Sequence, residues 1–441
     1  MQAGNHRIAV ISLGCAKNLV NTEQMVFLLS NAGYELSGET IGADTVIVNT
    51  CAFIESAKME SIEAILELGQ AKEDGKIGRI VVAGCLPQRY RTEILRGMPE
   101  IDVVLGTGSF DKIVSAIEPI KGTIRTREWF GDINAPVSET RRVLMTPKSW
   151  AYLKIAEGCD NRCAYCSIPG IRGRFRSRPI ENIVKEANEL ADFGVRELIL
   201  VAQDTTRFGL DLYGERALTE LLNELSQIEK LKWIRLHYLY PDDIDDKLID
   251  VIAKSDKILK YIDVPIQHIS DSVLQRMNRR GGSKVIKSLV RDLRERVPDV
   301  VIRTSIITGL PGEGRSEFEE LCDFLREVRI ERTGVFTYSP EEGTNAAMMP
   351  CPDPETAARR KELLEDIQSQ IMDDFCESRI GSETEVLVEG ECEGHTYGRS
   401  YAESPDIDGY VLIEGNSFLA GEFIRVRITG MMNNEPVGEK I

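Results

Sequence analysis

Apolar residues in the first third of the chain form short unbroken runs, separated by stretches where they recur every three or four positions. The runs at 7–15, 44–51 and 79–85 read as strands, and 21–31 and 56–73 between them as helices. Val46-Ile47-Val48 and Ile80-Val81-Val82 show no polar alternation, which suits strands covered on both faces. Strand–helix–strand–helix–strand order predicts a parallel sheet. All carboxyl ends of such a sheet share one edge, the edge where ligands bind.

The pattern recurs further on. Runs at 152–156, 197–202, 233–239, 261–265, 301–308 and 333–338 read as six strands, most of them separated by helical stretches such as 180–193 and 317–328. Six strand–helix units predict an open β/α barrel, since a full eight-unit barrel needs about 250 residues. Residues 353–377 read as one charged helix, begun after Pro350-Cys351-Pro352. The period then changes. Runs at 385–389, 410–414 and 423–428 alternate between Gly and Asn turns, as in a small antiparallel β-barrel. The expected class is α/β, with a parallel-sheet domain (1–120), a linker (121–144), an open six-unit barrel (145–377) and a small β-barrel (378–441).

Composition narrows the function. No run reaches the roughly eighteen apolar residues of a membrane span, and residues 1–7 lack the regions of a signal peptide, so a cytoplasmic location without membrane association is expected. Ten cysteines in that setting point to metal or redox chemistry rather than disulfides. A net charge of −17 opposes general nucleic-acid affinity and suits a basic protein partner.

Six of those cysteines carry a pattern. Cys159-Asp-Asn-Arg-Cys163-Ala-Tyr165-Cys166 has the spacing C-x₃-C-x₂-C. A structural zinc site needs four ligands, and the histidines His6, His237, His268 and His395 are scattered. Iron–sulfur clusters also take thiolates, and three thiolates on a four-iron cluster leave one iron open. Zinc and three unconnected buried thiols stand as alternatives on spacing alone. Cys15, Cys51 and Cys85 each follow a predicted parallel strand and so converge on one sheet edge, a second three-cysteine site unless three structural cysteines coincide there. Gly14 and Gly84 suit close backbone approach at two of them. Cys322, Cys351, Cys376 and Cys392 read as structural.

The C-x₃-C-x₂-C motif with an aromatic before its last cysteine resembles that of the radical S-adenosylmethionine (SAM) enzymes. With Leu13-Gly14-Cys15-Ala16-Lys17-Asn18, Asn49-Thr50-Cys51 and Gly84-Cys85-Leu86-Pro87-Gln88-Arg89-Tyr90, the chain resembles the methylthiotransferases of that family over nearly its whole length. The resemblance implies two [4Fe-4S] clusters, one on Cys159, Cys163 and Cys166 and one on Cys15, Cys51 and Cys85. It implies that one SAM methylates a sulfur held on the second cluster, while another is cleaved at the first to a 5′-deoxyadenosyl radical. It places Tyr165 beside the adenine, raises Gln203, Asp204, Gln267 and Arg303 as SAM contacts, and sets Gly309 and the segment to Glu313 near the adenine. Other residues at strand ends, among them His237, Tyr238, His268, Thr308 and Tyr338, are expected to line the same site. An electron donor such as flavodoxin or ferredoxin is implied as well.

Arg172-Gly173-Arg174-Phe175-Arg176-Ser177-Arg178 reads as a solvated basic face, with carboxylate binding as the alternative. The tail resembles the TRAM module, which binds tRNA in RNA-acting relatives. Here it carries five basic residues against twelve acids, a balance that disfavours a phosphate backbone. Leu13-Gly-Cys-Ala-Lys17-Asn-Leu-Val20, Cys51-Ala-Phe-Ile-Glu-Ser-Ala-Lys58 and Gln203-Asp-Thr-Thr206 look like the RimO branch. That branch methylthiolates the β-carbon of an aspartate on ribosomal small-subunit protein twelve, a basic protein. Methylthiolation of tRNA adenosine is the alternative.

Overall fold

The computed structural model describes residues 6–118, 127–392, 394–415 and 418–441. Its first sheet is wholly parallel, in the order Glu35–Ser37, Arg7–Ser12, Thr45–Thr50, Arg79–Gly84, Val103–Leu105, Arg127–Trp129. The order reverses between Arg7–Ser12 and Thr45–Thr50, so a crevice opens there at the carboxyl edge. Helices Ala16–Asn31 and Glu55–Glu73 cover opposite faces. Ile47 and Val81 pack with Met25 and Leu29, while Val46, Val48 and Ile80 pack with Ile65 and Leu68. Three of the six strands have three residues each, too short to show a period. One of them, Arg127–Trp129, comes from the stretch expected to be linker; residues 121–126 of that stretch lie outside the described residues.

The second sheet is also parallel, in the order Arg332–Thr337, Val301–Thr308, Ile258–Asp263, Trp233–Leu236, Glu197–Val201, Trp150–Lys154. This is the expected open barrel of six strands. Its outer face is apolar. Leu153, Leu198, Leu200, Ile234, Ile262 and Ile302 pack against buried residues of helices Ile180–Phe193, Leu218–Ser226, Asp246–Lys254, Gly282–Arg296, Arg315–Val328 and Pro354–Ser378. The inner face is mixed, and other parts of the chain cover it. Val20 of helix Ala16–Asn31 packs on Trp150, Tyr152, Ile199 and Val201, which seats the first domain on the barrel.

The tail is a closed barrel of five strands, in the order Glu383–Cys392, His395–Arg399, Val411–Ile413, Glu435–Lys440, Phe423–Met432. Four pairs are antiparallel; the pair Val411–Ile413 and Glu435–Lys440 is parallel. The segment after His395–Arg399 plugs the inner face of the large barrel. Tyr152 Oη donates to Asp406 Oδ2 at 2.9 Å and Tyr261 Oη to Asp408 Oδ2 at 2.7 Å, and His237 Nε2 pairs with Ser404 Oγ at 2.9 Å. At the centre Glu197 takes Arg235 on Oε1 and Arg399 on Oε2, both at 2.8 Å, with all three side chains fully buried. Breaking such a pair from one side leaves an uncompensated charge in the interior, at about 3–5 kcal/mol. Arg399→Ala is therefore expected to destabilise the full chain by that amount in denaturant unfolding, whereas Arg425→Ala, on the exposed barrel wall, is expected to stay within about 0.5 kcal/mol.

Candidate active site

The first cysteine triad is built by the parallel sheet. Cys15 caps helix Ala16–Asn31, Cys51 follows Thr45–Thr50, and Cys85 opens helix Cys85–Tyr90. Gly14 has φ +87°, and a Cβ there would stand 2.6 Å from the Cys51 Cβ; Gly84 has φ +100°, and its Cβ would meet Thr50 O at 2.6 Å. Only glycine lets these loops close. Asn18 Nδ2 donates to Leu13 O (2.7 Å) and Thr50 O (3.3 Å), pinning the first loop to the second. Burial opposes ionisation of Cys15, but Lys17, Arg172 and the backbone N–H groups of Asn18 and Lys17 outweigh it and hold the thiol below its ordinary range. Burial, reinforced by the neighbouring thiols, pushes Cys51 up to about 12, and burial also raises Cys85 against the pull of Arg172. Thiols like these ionise when metal binding supplies the driving force.

The second triad lies on the loop after strands Trp150–Lys154 and Ala156–Glu157, at the carboxyl end of the barrel. The protein holds this loop from several sides. Asn161 Nδ2 donates to Asp204 Oδ2 (2.6 Å), Ala164 N to Met277 O (2.9 Å) and Asn278 Nδ2 to Arg162 O (3.0 Å). Arg279 donates to Cys163 Sγ (3.8 Å), Tyr165 Oη (3.3 Å) and Pro265 O (2.6 Å). Burial pushes Cys159 to about 11 and Cys166 to about 12. Among the described residues no three His, Cys, Asp or Glu side chains are set to hold a single metal ion. A lone zinc needs its sulfurs about 2.3 Å from one point, whereas an iron–sulfur cluster spreads them over separate irons. Each triad fits such a cluster: three thiols, no carboxylate among the ligands, and an arginine donating to a sulfur.

One buried network links the Cys85 sulfur to Glu157, two residues before Cys159. Arg172, 2% exposed, donates to Glu157 Oε1 (3.2 Å), Asn21 Oδ1 (3.1 Å), Asn18 Oδ1 (3.1 Å) and Cys85 Sγ (3.4 Å). Glu157 also takes Lys154 Nζ (2.9 Å) and Gln203 Nε2 (3.0 Å). Burial opposes its charge, but Lys154 and Arg172 hold its carboxyl well below the usual range. The Arg172–Arg178 run is therefore not the solvated face that its sequence predicts. Arg172 and Arg178 are buried and paired, Arg178 with Glu139 and Glu186, and only Arg174 is exposed.

The other expected residues fall in two groups. Tyr165 packs in the cluster that includes Leu310, next to Gly309, and with Ala164, Met277 and Tyr338. Gly309 has φ +81°, with Ala357 Cβ 2.7 Å from where its Cβ would be, and its N–H donates to Glu313 Oε2 at 3.0 Å. Gln203 turns its amide nitrogen to Glu157 and leaves Oε1 buried without a partner. Asp204 spends both oxygens on the protein, one on Asn161 and one on Thr206, and so positions the cysteine loop. Gln267 is in left-handed backbone (φ +70°), bridged to Ile306. Arg303 pairs with buried Asp263 at 2.8 Å. Lys154, Glu157 and Arg279 went unread in the sequence. Lys154 and Glu157 are charges at the end of a strand that should be apolar, a signal that was available; Arg279 sits in no motif. A surface pocket of about 290 Å³ lies elsewhere, between Trp233 and Lys260 of the barrel and Thr384 and Tyr401 of the tail, and holds none of these residues.

Comparison with known proteins bears on the chemistry. Residues 153–325 match the radical SAM superfamily, 7–106 the uncharacterized protein family UPF0004, and 380–441 the TRAM domain. The chain is 46% identical over 439 residues to the ribosomal protein uS12 methylthiotransferase RimO of Caldanaerobacter subterraneus, covering 98% of this chain and 99% of that one. The RimO of Clostridium perfringens is 44% identical over 442 residues, covering 98% of each. The chain belongs to the RimO family of radical SAM methylthiotransferases. It is an enzyme of that type, and its cofactors are two [4Fe-4S] clusters and SAM. Among solved structures, the radical SAM methyltransferase TsrM of Kitasatospora setae aligns with a TM-score of 0.55 at 14% identity, over 94% of this chain and 84% of its own. The cobalamin-dependent SAM radical enzyme OxsB aligns at 0.51 and 12%, over 84% of this chain and 56% of its own. These two likenesses concern the fold.

For this methylthiotransferase, Arg172→Met should leave the Cys85 sulfur without its donor and Glu157 with Lys154 as its one cation, at about 3–5 kcal/mol in denaturant unfolding. Iron and labile sulfide per chain should fall with it. Arg174→Met, two residues away and exposed, should change neither.

Proposed function

We propose that Cys159, Cys163 and Cys166 hold the cluster that cleaves SAM, that Cys15, Cys51 and Cys85 hold the sulfur-delivering cluster, and that the substrate is an aspartate of ribosomal protein uS12. The supporting observation is the Arg172–Glu157 network, which ties the Cys85 sulfur to the loop that starts at Cys159. Two cofactors must act on one carbon in turn, and this network links the elements that carry their proposed ligands. Bound there, the clusters supply an electron to the SAM sulfonium and a sulfur to the substrate. Everything else is done by the chain. Tyr165 and Gly309 frame the adenine, and the free Oε1 of Gln203 offers SAM an acceptor. Gln267, Asp204 and Arg303 shape the rest of the SAM site. Arg279 and Arg172 balance the negative charge of the two thiolate sets. An unactivated C–H bond gives a general base no purchase near neutral pH, so hydrogen abstraction by a radical is the workable route.

The reductant is an electron carrier such as flavodoxin or ferredoxin, and the reaction is cytoplasmic, in keeping with a ribosomal protein as substrate. The tail supports a protein substrate over RNA. Arg379 and Arg399 are buried in ion pairs with Glu403 and Glu389, and Arg425 and Arg427 are both taken by Glu383. Among the described tail residues that leaves little basic surface for phosphates. The test is mass spectrometry after anaerobic incubation with SAM, reductant and sulfide, offering uS12 and bulk tRNA in parallel. One methylthio group in place of one hydrogen on an aspartate of uS12 is expected; the same mark on tRNA with uS12 untouched would refute the substrate. Cys51→Ala and Cys163→Ala should each lose roughly half of the iron and all transfer.

A further inference from the structure

We infer that Lys17 binds the carboxylate of the target aspartate. The inference rests on aspartate being the target, as proposed above. Lys17 is in the first turn of helix Ala16–Asn31, two residues past Cys15, and is 7% exposed. Its Nζ stands 3.5 Å from the centre of the Tyr238 ring. Tyr238 is held in left-handed backbone (φ +61°), with its N–H on Asp263 Oδ2 at 3.0 Å, so the ring is fixed at the carboxyl end of Trp233–Leu236. The first domain thus pushes a cation into the mouth of the barrel.

The buried cations around Lys17 have their own anions. Lys154 and Arg172 share Glu157, Arg303 has Asp263, and Arg235 has Glu197. Among the described residues no carboxylate is ion-paired with Lys17; its ammonium has the Tyr238 side chain and, two residues before it, the Cys15 sulfur. Burying an ammonium is costly, and a ring face returns only about 0.5–2 kcal/mol. Lys17 therefore stands beside Cys15, at the mouth of the barrel, as a cation with no carboxylate of its own. The amino end of the helix adds its own positive potential, which again favours an anion. An incoming aspartate supplies a carboxylate, and its β-carbon is one bond away, so a clamp on the carboxylate fixes the carbon that reacts. Because asparagine is nearly isosteric but uncharged, the same contact makes Lys17 a specificity determinant.

The carboxylate of SAM has the same chemistry, so the test must separate the two sources. Wild-type holoenzyme, Lys17→Met and Lys17→Arg are assayed on uS12 carrying aspartate or asparagine at the modified position, with iron content and SAM cleavage in the absence of uS12 measured alongside. Wild type should prefer aspartate. Lys17→Met should lose roughly thirtyfold in kcat/KM on aspartate, the scale for removing one partner of a buried charge pair, and lose the aspartate-over-asparagine preference; Lys17→Arg should keep much of that preference. A Lys17→Met enzyme that retains the preference, even with slower SAM cleavage, overturns the inference and leaves the proposed function standing. A wild type that modifies no aspartate overturns both. Should Lys17→Met fail to hold iron, Lys17→Gln is read in the same way.

Discussion

Arg172 contacts each part of the catalytic junction: Glu157 of the barrel, Asn18 and Asn21 of the first helix, and the sulfur of Cys85. Its place in the chain explains why this works. It ends helix Ile168–Arg172, which follows directly on the loop bearing Cys159, Cys163 and Cys166. Any shift of that loop moves the guanidinium away from Cys85. The pairing with Glu157 keeps a buried charge affordable on both sides, and Lys154 balances the remainder of the carboxylate. The relative position of the two cysteine triads is thus an electrostatic matter as well as one of apolar packing, through Val20 and Ile171.

The tail has a structural part beside the one its charge balance implies. Part of its acidity is taken up by contacts within the chain. Glu403, Asp406 and Asp408 bind Arg332, Tyr152 and Tyr261 of the barrel, and Glu389 holds Arg399 against Glu197. A barrel open between its first and last strands exposes an inner face that a closed barrel would fill with its own side chains. The first helix and the tail fill it instead, one toward the carboxyl ends of the strands and one beneath.

Much of the frame was legible because long apolar runs carry their own period. The six barrel strands and helix Ile180–Phe193 lie where the pattern puts them. The triads were legible because parallel strands force their carboxyl ends together, so Cys15, Cys51 and Cys85 meet although 36 and 34 residues separate them. The failures share a cause. Glu35–Ser37 and Val103–Leu105 are too short to have a period, His395–Arg399 and Glu435–Lys440 contain Gly or Pro where strands favour β-branched residues, and the fate of the arginine run depended on Glu139, Glu157 and Glu186, partners distant in sequence. Charge is the property a sequence reads worst, because ion pairing is decided by tertiary contacts.

The claim that the two triads share one junction is tested most directly by electron paramagnetic resonance of the holoenzyme with both clusters reduced. Two clusters held together by the Arg172–Glu157 network should show spin–spin coupling, seen as broadening and fast relaxation absent from Cys51→Ala and Cys163→Ala. A spectrum equal to the sum of the two single-cluster variants would contradict the account.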